Sequence, residues 1–467
     1  MGYMLVIGVY LAILIIGGFI MSKKKVKNSE DFVVAGRRLP MIILVGTLLA
    51  TWCGGGGITG SASLIYNYGP WVGVLHFLGA PIGIILLYFI AGKVRKSEKL
   101  TIPEIFEARY GTWARLLSAL CIMLAYVGIV ATQVKAAGNI VSLTTGMNIG
   151  LATLIATVFI ILLTVTGGMV TVAYSDAVGA LVMVGGFLVA IPILISAAGG
   201  WSQMVAAIPE AKKGFGGLNA IQIAGYMIPT ISLMLGDQNM MQRFASAKDS
   251  SEAKKSNIGM FIAEIIVCTL IILMVTVGIV LIPSIDIPSN VIFVLGMNFL
   301  PFILGALVLA SCVSFIVTTG DSFLLSTATN LTYDVWARFF KKDATDKQKM
   351  FCLRLTVILL GLLAVACSLY FPSIITLQMT AYGMYGAAIT PALLFALFSK
   401  RVTKAGGIAG IITGASVTLV WNVILSKPMG IESAIIAVPA AIVMIIAVSF
   451  FTKNSDRTND IGVLYNE

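Results

Sequence analysis

The chain has 467 residues, 58% of them hydrophobic and 11% charged, with a mean hydropathy of +1.00. That balance excludes an ordinary soluble globular domain and leaves a protein that lives in the bilayer. The net charge of +11 would suit a nucleic-acid partner, but the placement of the charges excludes one.

Thirteen apolar runs follow one another, at 3–22, 42–66, 71–92, 114–143, 149–166, 174–198, 219–241, 257–282, 297–331, 352–371, 375–398, 405–425 and 433–452. Runs of this length suit helices that cross a hydrocarbon core. The first has no basic segment ahead of it and no cleavage site before the lysines, so it reads as a retained span rather than a signal peptide. With the N-terminus outside, 27 of the 31 Lys and Arg residues fall on the cytoplasmic side, in the loops near 23–40, 93–115, 242–256, 333–354 and 399–404 and in the tail. The exceptions are Lys135, Lys212, Lys213 and Lys427. This is the positive-inside asymmetry of a multi-pass plasma-membrane or inner-membrane protein with a cytoplasmic C-terminus. The basic charge therefore sets topology. No loop is long enough for a nucleotide-binding domain, and the glycine-rich string 54–60 lies inside a span without a preceding strand, unlike a phosphate loop. The six cysteines, at 53, 121, 268, 312, 352 and 367, lie in or beside apolar runs without metal-ligand spacing and read as buried thiols.

The second run contains Leu48 to Gly60, LLATWCGGGGITG. Glycine costs about 1 kcal/mol relative to alanine in a helix interior, so Gly54 to Gly57 should break the helix. In an intact helix the carbonyls of Ala50 and Cys53 would accept the amides of Gly54 and Gly57. Unwinding frees both carbonyls for a cavity or an ion, and a hard cation such as sodium needs several oxygens. The competing reading makes the glycines a device for close helix packing. A second unusual segment runs from Ser314 to Trp336. There Thr318 lies one turn from Asp321 and Ser322, and Thr319 one turn from Ser322. Hydroxyls alone often bond only their own helix, but an intramembrane carboxylate points to function. Asp176, near the start of the sixth run, is another such acid.

These segments, with DFVVAGRRLP (31–40), IPEIFEARY (102–110), GGMVTVAYSDAVGALVM (167–183), GDQNMMQRFASAKD (236–249) and STATNLTYDVW (326–336), together resemble the sodium:solute symporter family along nearly the whole chain. The resemblance implies an all-α membrane protein of the LeuT type, a five-plus-five inverted repeat with broken first and sixth core helices. A single transporter domain would place an extra helix at 3–22, the first repeat at 42–198, the second at 219–398 and two further helices at 405–452. It implies a principal sodium held by the carbonyls of Ala50, Cys53 and Phe315 and the hydroxyls of Thr318 and Thr319. A second sodium is implied at Asp176, with Thr318, Asp321 and Ser322. Asp321 stands where sialic-acid transporters have serine and resembles the choline-transporter branch, where an added carboxylate strengthens the ion site or exchanges a proton.

The same resemblance implies the solute contacts. ATWCGGGGITG is similar to the choline-transporter pattern, with Trp52 a cation–π wall, but GDQNMM lacks that branch's second tryptophan. His76, the single histidine, falls where the sodium–galactose branch has glutamate, and Glu264 falls where that branch has lysine. This exchange argues against a sugar. Lys135 falls near the arginine with which sialic-acid transporters take a carboxylate, or else it neutralises Glu264 inside the membrane. His76 equally suits a neutral, hydrogen-bonded core role. Tyr226 and Thr230 would line the sixth-helix side. The expectation is a sodium-coupled symporter, not an enzyme, that imports a small carboxylate-bearing or zwitterionic solute by alternating access. The alternatives are a sodium- or proton-coupled carrier of a choline-like quaternary ammonium, and a transport-like sensor or channel. The implied partners are the solute, sodium ions and the lipid bilayer; neither nucleic acid nor an oligomeric partner is required.

Overall fold

The computed structural model describes residues 2–26, 29–97, 99–371 and 373–452. The polar tail with its two basic residues, and Lys27 in the first basic loop, lie outside the described residues.

The described apolar runs fold as helices, as hydrocarbon requires of a chain that must satisfy its own backbone. Helices α1 (Gly2–Lys25) and α2 (Ser29–Val34) precede α3 (Met41–Trp52), which breaks and resumes through a π-helical turn (Gly56–Gly60) as α4 (Ser61–Tyr68). Then come α5 (Pro70–Ser97), α6 (Ile102–Tyr110), α7 (Thr112–Thr145), α8 (Ile149–Ala197) and the short α9 (Trp201–Ala207). They are followed by α10 (Ala220–Gly236), α11 (Gln238–Ser246), α12 (Ser250–Leu281), α13 (Val291–Asn298) and α14 (Phe302–Thr329), the last extended by π-helical turns over Asn330–Phe340. The described chain closes with α15 (Asp346–Tyr370), α16 (Ile374–Ala388), α17 (Thr390–Phe398), α18 (Lys404–Leu419) and α19 (Ala434–Phe451). Polar residues set several starts: Asn219 and Thr345 each form a reciprocal capping box, with Gln222 and Gln348.

Among the described residues, nine helices are long and apolar enough to cross a membrane, or ten with the bent α3–α4 pair taken as one. The expected thirteen is not reached by that measure, for local reasons. The apolar part of α1, Gly2–Gly17, is short, and α10 stops after 17 residues. α8 counts once although it bends at Gly168, whose φ of 57° and ψ of −168° suit glycine. A side chain there would also strike Phe32. The bend separates the two runs at 149–166 and 174–198.

α14 is buried along nearly its whole length, packed by α8, α7 and α1, and α3 lies against α8 and α12. Gly46 allows that approach: a Cβ there would sit 2.6 Å from the Ala177 Cα. The contact brings Thr47 on α3 to Asp176 on α8. Aliphatic side chains such as Leu181, Ile303 and Val443 stay exposed on the outside, where lipid is the solvent. At one end of the bundle Arg115 joins α6, α7 and the extension of α14. It lies 2.7 Å from Asp334, 2.5 Å from Glu107 and 3.4 Å from Glu104, while Glu107 also holds Arg338 at 2.7 Å. Burial pushes the Glu107 carboxyl up, but hydrogen bonds from Arg115 and Arg338 outweigh it and hold the group below its ordinary range.

Candidate functional site

The break in the first core helix is narrower than four glycines suggested. Cys53 leaves helical geometry at φ −89° and ψ 51°, its amide bonded back to Leu49 at 2.9 Å. Only Cys53 and Gly54 lie outside the helix, and the two halves are bent by 55°. Gly55 to Gly57 are helical, and Gly54 to Gly56 serve packing. A Cβ on Gly54 would lie 2.6 Å from the Thr319 side chain, one on Gly55 would lie 2.8 Å from Ala136, and one on Gly56 would strike the Gln378 amide. Gly57 is different, with nothing nearer than 3.5 Å. Break and close packing therefore both hold, and they coincide at Gly54.

One pair of the oxygens expected to gather at this break is in contact. Thr319 Oγ1 donates to the Ala50 carbonyl at 2.6 Å, joining α14 to the last turn of α3. Thr318 is its neighbour, and Phe315 lies one turn earlier on α14; all three are buried. Beside them sits a charged cluster. Thr47 Oγ1 donates to Asp176 at 2.6 Å, and the Arg243 guanidinium lies 3.5 Å from Asp176 and donates to Thr47 Oγ1 at 3.0 Å and to Ser322 Oγ at 2.7 Å. Ser322 in turn donates to the Thr318 carbonyl at 2.8 Å. Thr318 Oγ1, Asp176 Oδ1 and both Asp321 oxygens are buried without a hydrogen-bond partner among the described residues, although Thr318 lies in electrostatic reach of Asp176 and Thr164 in reach of Asp321. Asp176, Asp321 and Asp237 thus all lie within electrostatic reach of one guanidinium. Arg243 corrects a sequence expectation: read as a charge of the loop 242–256, it is instead fully buried on α11, because a carboxylate on another helix compensates it.

On the other side of the break, the rings of Trp52 and Tyr382 lie 5.8 Å apart, tilted by 32°. Glu264 on α12 is fully buried, and Trp52, Cys53 and Tyr382 lie within its electrostatic reach. Its Oε1 accepts the Cys268 thiol at 3.1 Å, and its Oε2 has no hydrogen-bond partner among the described residues. Lys135 does not meet Glu264, which was one of its two expected roles. Its ammonium donates to the Ser368 carbonyl at 3.1 Å and the Phe371 carbonyl at 2.5 Å. These belong to the C-terminal end of α15, where carbonyls lack helical partners and the dipole is negative. His76 Nε2 lies 3.1 Å from Ser61 Oγ at the start of α4, and its ring meets Tyr226 edge-on at 6.2 Å. Thr230 donates back to the Tyr226 carbonyl at 3.0 Å. His76, Tyr226 and Thr230 thus form a packed seam between α5 and α10.

Several residues of the site carried no signal in the sequence. Gln133 on α7 accepts the Gly55 amide at 2.5 Å, taking the place of a lost helical carbonyl. α16 contributes three residues from one face, Gln378, Tyr382 and Tyr385, spaced four and three apart. Gln378 packs on Gly56 and Gly60, and Tyr382 on Trp52. Tyr385 spans the second break, between α10 and α11. Its hydroxyl donates to the Gly236 carbonyl at 2.7 Å and accepts the Gln238 amide at 3.1 Å. Tyr126 stacks on it at 5.1 Å and bonds Asp237, the residue at the break.

Residues 32–414 match the sodium:solute symporter family. The osmoregulated proline transporter OpuE of Bacillus subtilis is 26% identical over 480 residues, covering 97% of this chain and 95% of that protein. The high affinity choline transporter 1 of Homo sapiens is 24% identical over 445 residues, covering 88% of this chain and 75% of that one. A sodium-coupled sialic acid symporter, solved substrate-bound and outward-open, superposes with a TM-score of 0.84 at 18% identity, over 97% of this chain and 98% of that one. That likeness is one of fold, the LeuT-type arrangement of broken helices. The chain belongs to the sodium:solute symporter family: it is a multi-pass membrane transporter that couples the passage of a small solute to that of sodium.

Proposed function

We propose that the protein imports a small zwitterionic ammonium solute by alternating access, with its N-terminus outside and its basic loops in the cytoplasm. The observation that carries the reading is the junction of a broken helix with an oxygen-rich helix face, where Thr319 Oγ1 lies 2.6 Å from the Ala50 carbonyl. Carbonyls of Ala50, Cys53 and Phe315 with hydroxyls of Thr318 and Thr319 offer neutral oxygens, the donor set a hard monovalent cation prefers. A second cation, sodium or a proton, belongs between Asp176 and Asp321. Their two charges exceed the one of Arg243, and a buried uncompensated charge costs several kcal/mol. Ser322, already engaged by Arg243 and the Thr318 carbonyl, contributes less to that site than the two acids.

The ammonium end of the solute fits the space bounded by Trp52, Tyr382 and Glu264, where ring faces and a carboxylate both attract a cation. Its carboxylate end suits the start of the half-helix that begins at Gly55, the positive end of a helix dipole. Lys135 is left out of the solute site, and His76, Tyr226 and Thr230 support it through Ser61. Tyr382 supplies a second aromatic face that the sixth helix lacks, so a quaternary ammonium solute is the second reading. The relatives' own solutes, proline and choline, share a compact ammonium.

The test is uptake by the purified protein in liposomes with an inward sodium gradient, offered labelled proline, a betaine and choline. Sodium-dependent accumulation of a zwitterion, lost in Glu264→Gln, is expected. Accumulation of choline alone selects the second reading, and accumulation of no ammonium solute refutes both.

A further inference from the structure

A crevice of about 720 Å³ opens between α1, α2, α8 and α15, away from the two helix breaks. Its lining pairs two helical stripes. On α1, Phe19 and Lys23 lie one turn apart, and the Lys23 ammonium sits 4.5 Å from the centroid of the Phe19 ring. On α15, Lys347, Phe351 and Arg354 follow one another at spacings of four and three, on one face. Phe32, held against Gly168 at the bend of α8, completes the lining.

Two properties decide what fits. Three cations stand at the crevice with one lining acid, Asp346, and among the described residues none of the three is ion-paired. Below the cations the surface is apolar and outward-facing: Phe351 is 70% exposed, and Leu355, Leu359 and Leu362 continue the same side of α15. A cationic rim above a lipid-facing apolar wall matches an anionic headgroup with its acyl chains, as basic pockets between membrane helices do on the side bearing the basic loops. A soluble anion would use the rim but not the wall.

We propose that this crevice binds an anionic glycerophospholipid, its phosphate held by Lys23, Lys347 and Arg354 and its acyl chains laid against Phe19, Phe351 and the lower face of α15. The lipid is a partner of the transporter, distinct from its solute and ions.

The experiment titrates phosphatidylglycerol, phosphatidylcholine or glycerol 3-phosphate onto the full-length protein in detergent, with bound molecules counted by native mass spectrometry and melting temperature followed in parallel. Phosphatidylglycerol should bind saturably and raise the melting temperature, with phosphatidylcholine and glycerol 3-phosphate both much weaker. Neutralising all three cations (Lys23→Gln, Lys347→Gln, Arg354→Gln) should weaken phosphatidylglycerol on the order of 100-fold. If that triple variant does not fold, the double Lys23→Gln, Lys347→Gln should still lose affinity, and Lys23→Arg, Lys347→Arg should keep it. Equal binding of the two lipids, binding of glycerol 3-phosphate as tight as the lipid, or undiminished binding by the neutralised variant would each overturn the assignment.

Discussion

Thr318 and Thr319 are neighbours on α14 with different bonds, and this separates two effects that a sequence cannot separate. The Thr319 hydroxyl already serves the Ala50 carbonyl, whereas that of Thr318 is buried without a hydrogen-bond partner among the described residues. Removing an unsatisfied hydroxyl costs little stability, but removing a partner from a buried carbonyl costs about 1–3 kcal/mol. Thr318→Ala should therefore raise the sodium concentration for half-maximal uptake about tenfold or more with an unchanged melting temperature. Thr319→Ala should raise it and also melt earlier. Equal sodium curves for wild type and both variants would remove these residues from the ion site. Lys135 gives the opposite pattern. Because its ammonium caps the end of α15, Lys135→Gln should lower stability by about 1–2 kcal/mol while solute affinity at saturating sodium stays within about twofold. A stable variant that has lost only solute binding would restore the carboxylate role read from the sequence.

At the scale of the element, the glycine run makes a graded prediction. Gly54→Ala drives a methyl into Thr319, a stiff β-branched side chain, so uptake should fall steeply. Gly57→Ala meets only ordinary contacts, and its uptake should match wild type; matching uptake in both would mean the glycines are interchangeable. The broken first helix was legible because its cause is local, four glycines inside one apolar run. The all-helical membrane architecture was legible for the same reason, although the count of thirteen spans was not reached among the described residues, α10 and the apolar start of α1 being short. Arg243 was not legible, since a charge near a loop reads as solvated until Asp176, on another helix, is found beside it. Gln133 and Gln378 escaped notice as well: an amide inside a span says nothing until a freed backbone group or a bare glycine meets it. The Lys135–Glu264 pairing failed because two opposite charges in one membrane predict attraction only when their helices bring them together.

Across the whole molecule, the net charge of the ion region should set the coupling. Asp176, Asp237 and Asp321 together exceed the single charge of Arg243, so sodium activation should be steeper than a one-site curve, or uptake should change with pH if a proton takes the place. Asp321→Asn removes one of the acids facing Arg243, and sodium activation should become less steep. An unchanged curve in that variant would detach Asp321 from coupling. α16 adds a mechanical consequence. Gln378 bears on the first broken helix and Tyr385 on the second, seven positions apart, or about 10 Å along the axis. Two jointed helices could flex separately, with two degrees of freedom. A single rod touching both joints removes one of them, because tilting either joint displaces the rod's grip on the other. A carrier linked in this way should pass through no intermediate in which one joint yields and the other waits, the state in which ions would slip across without their cargo.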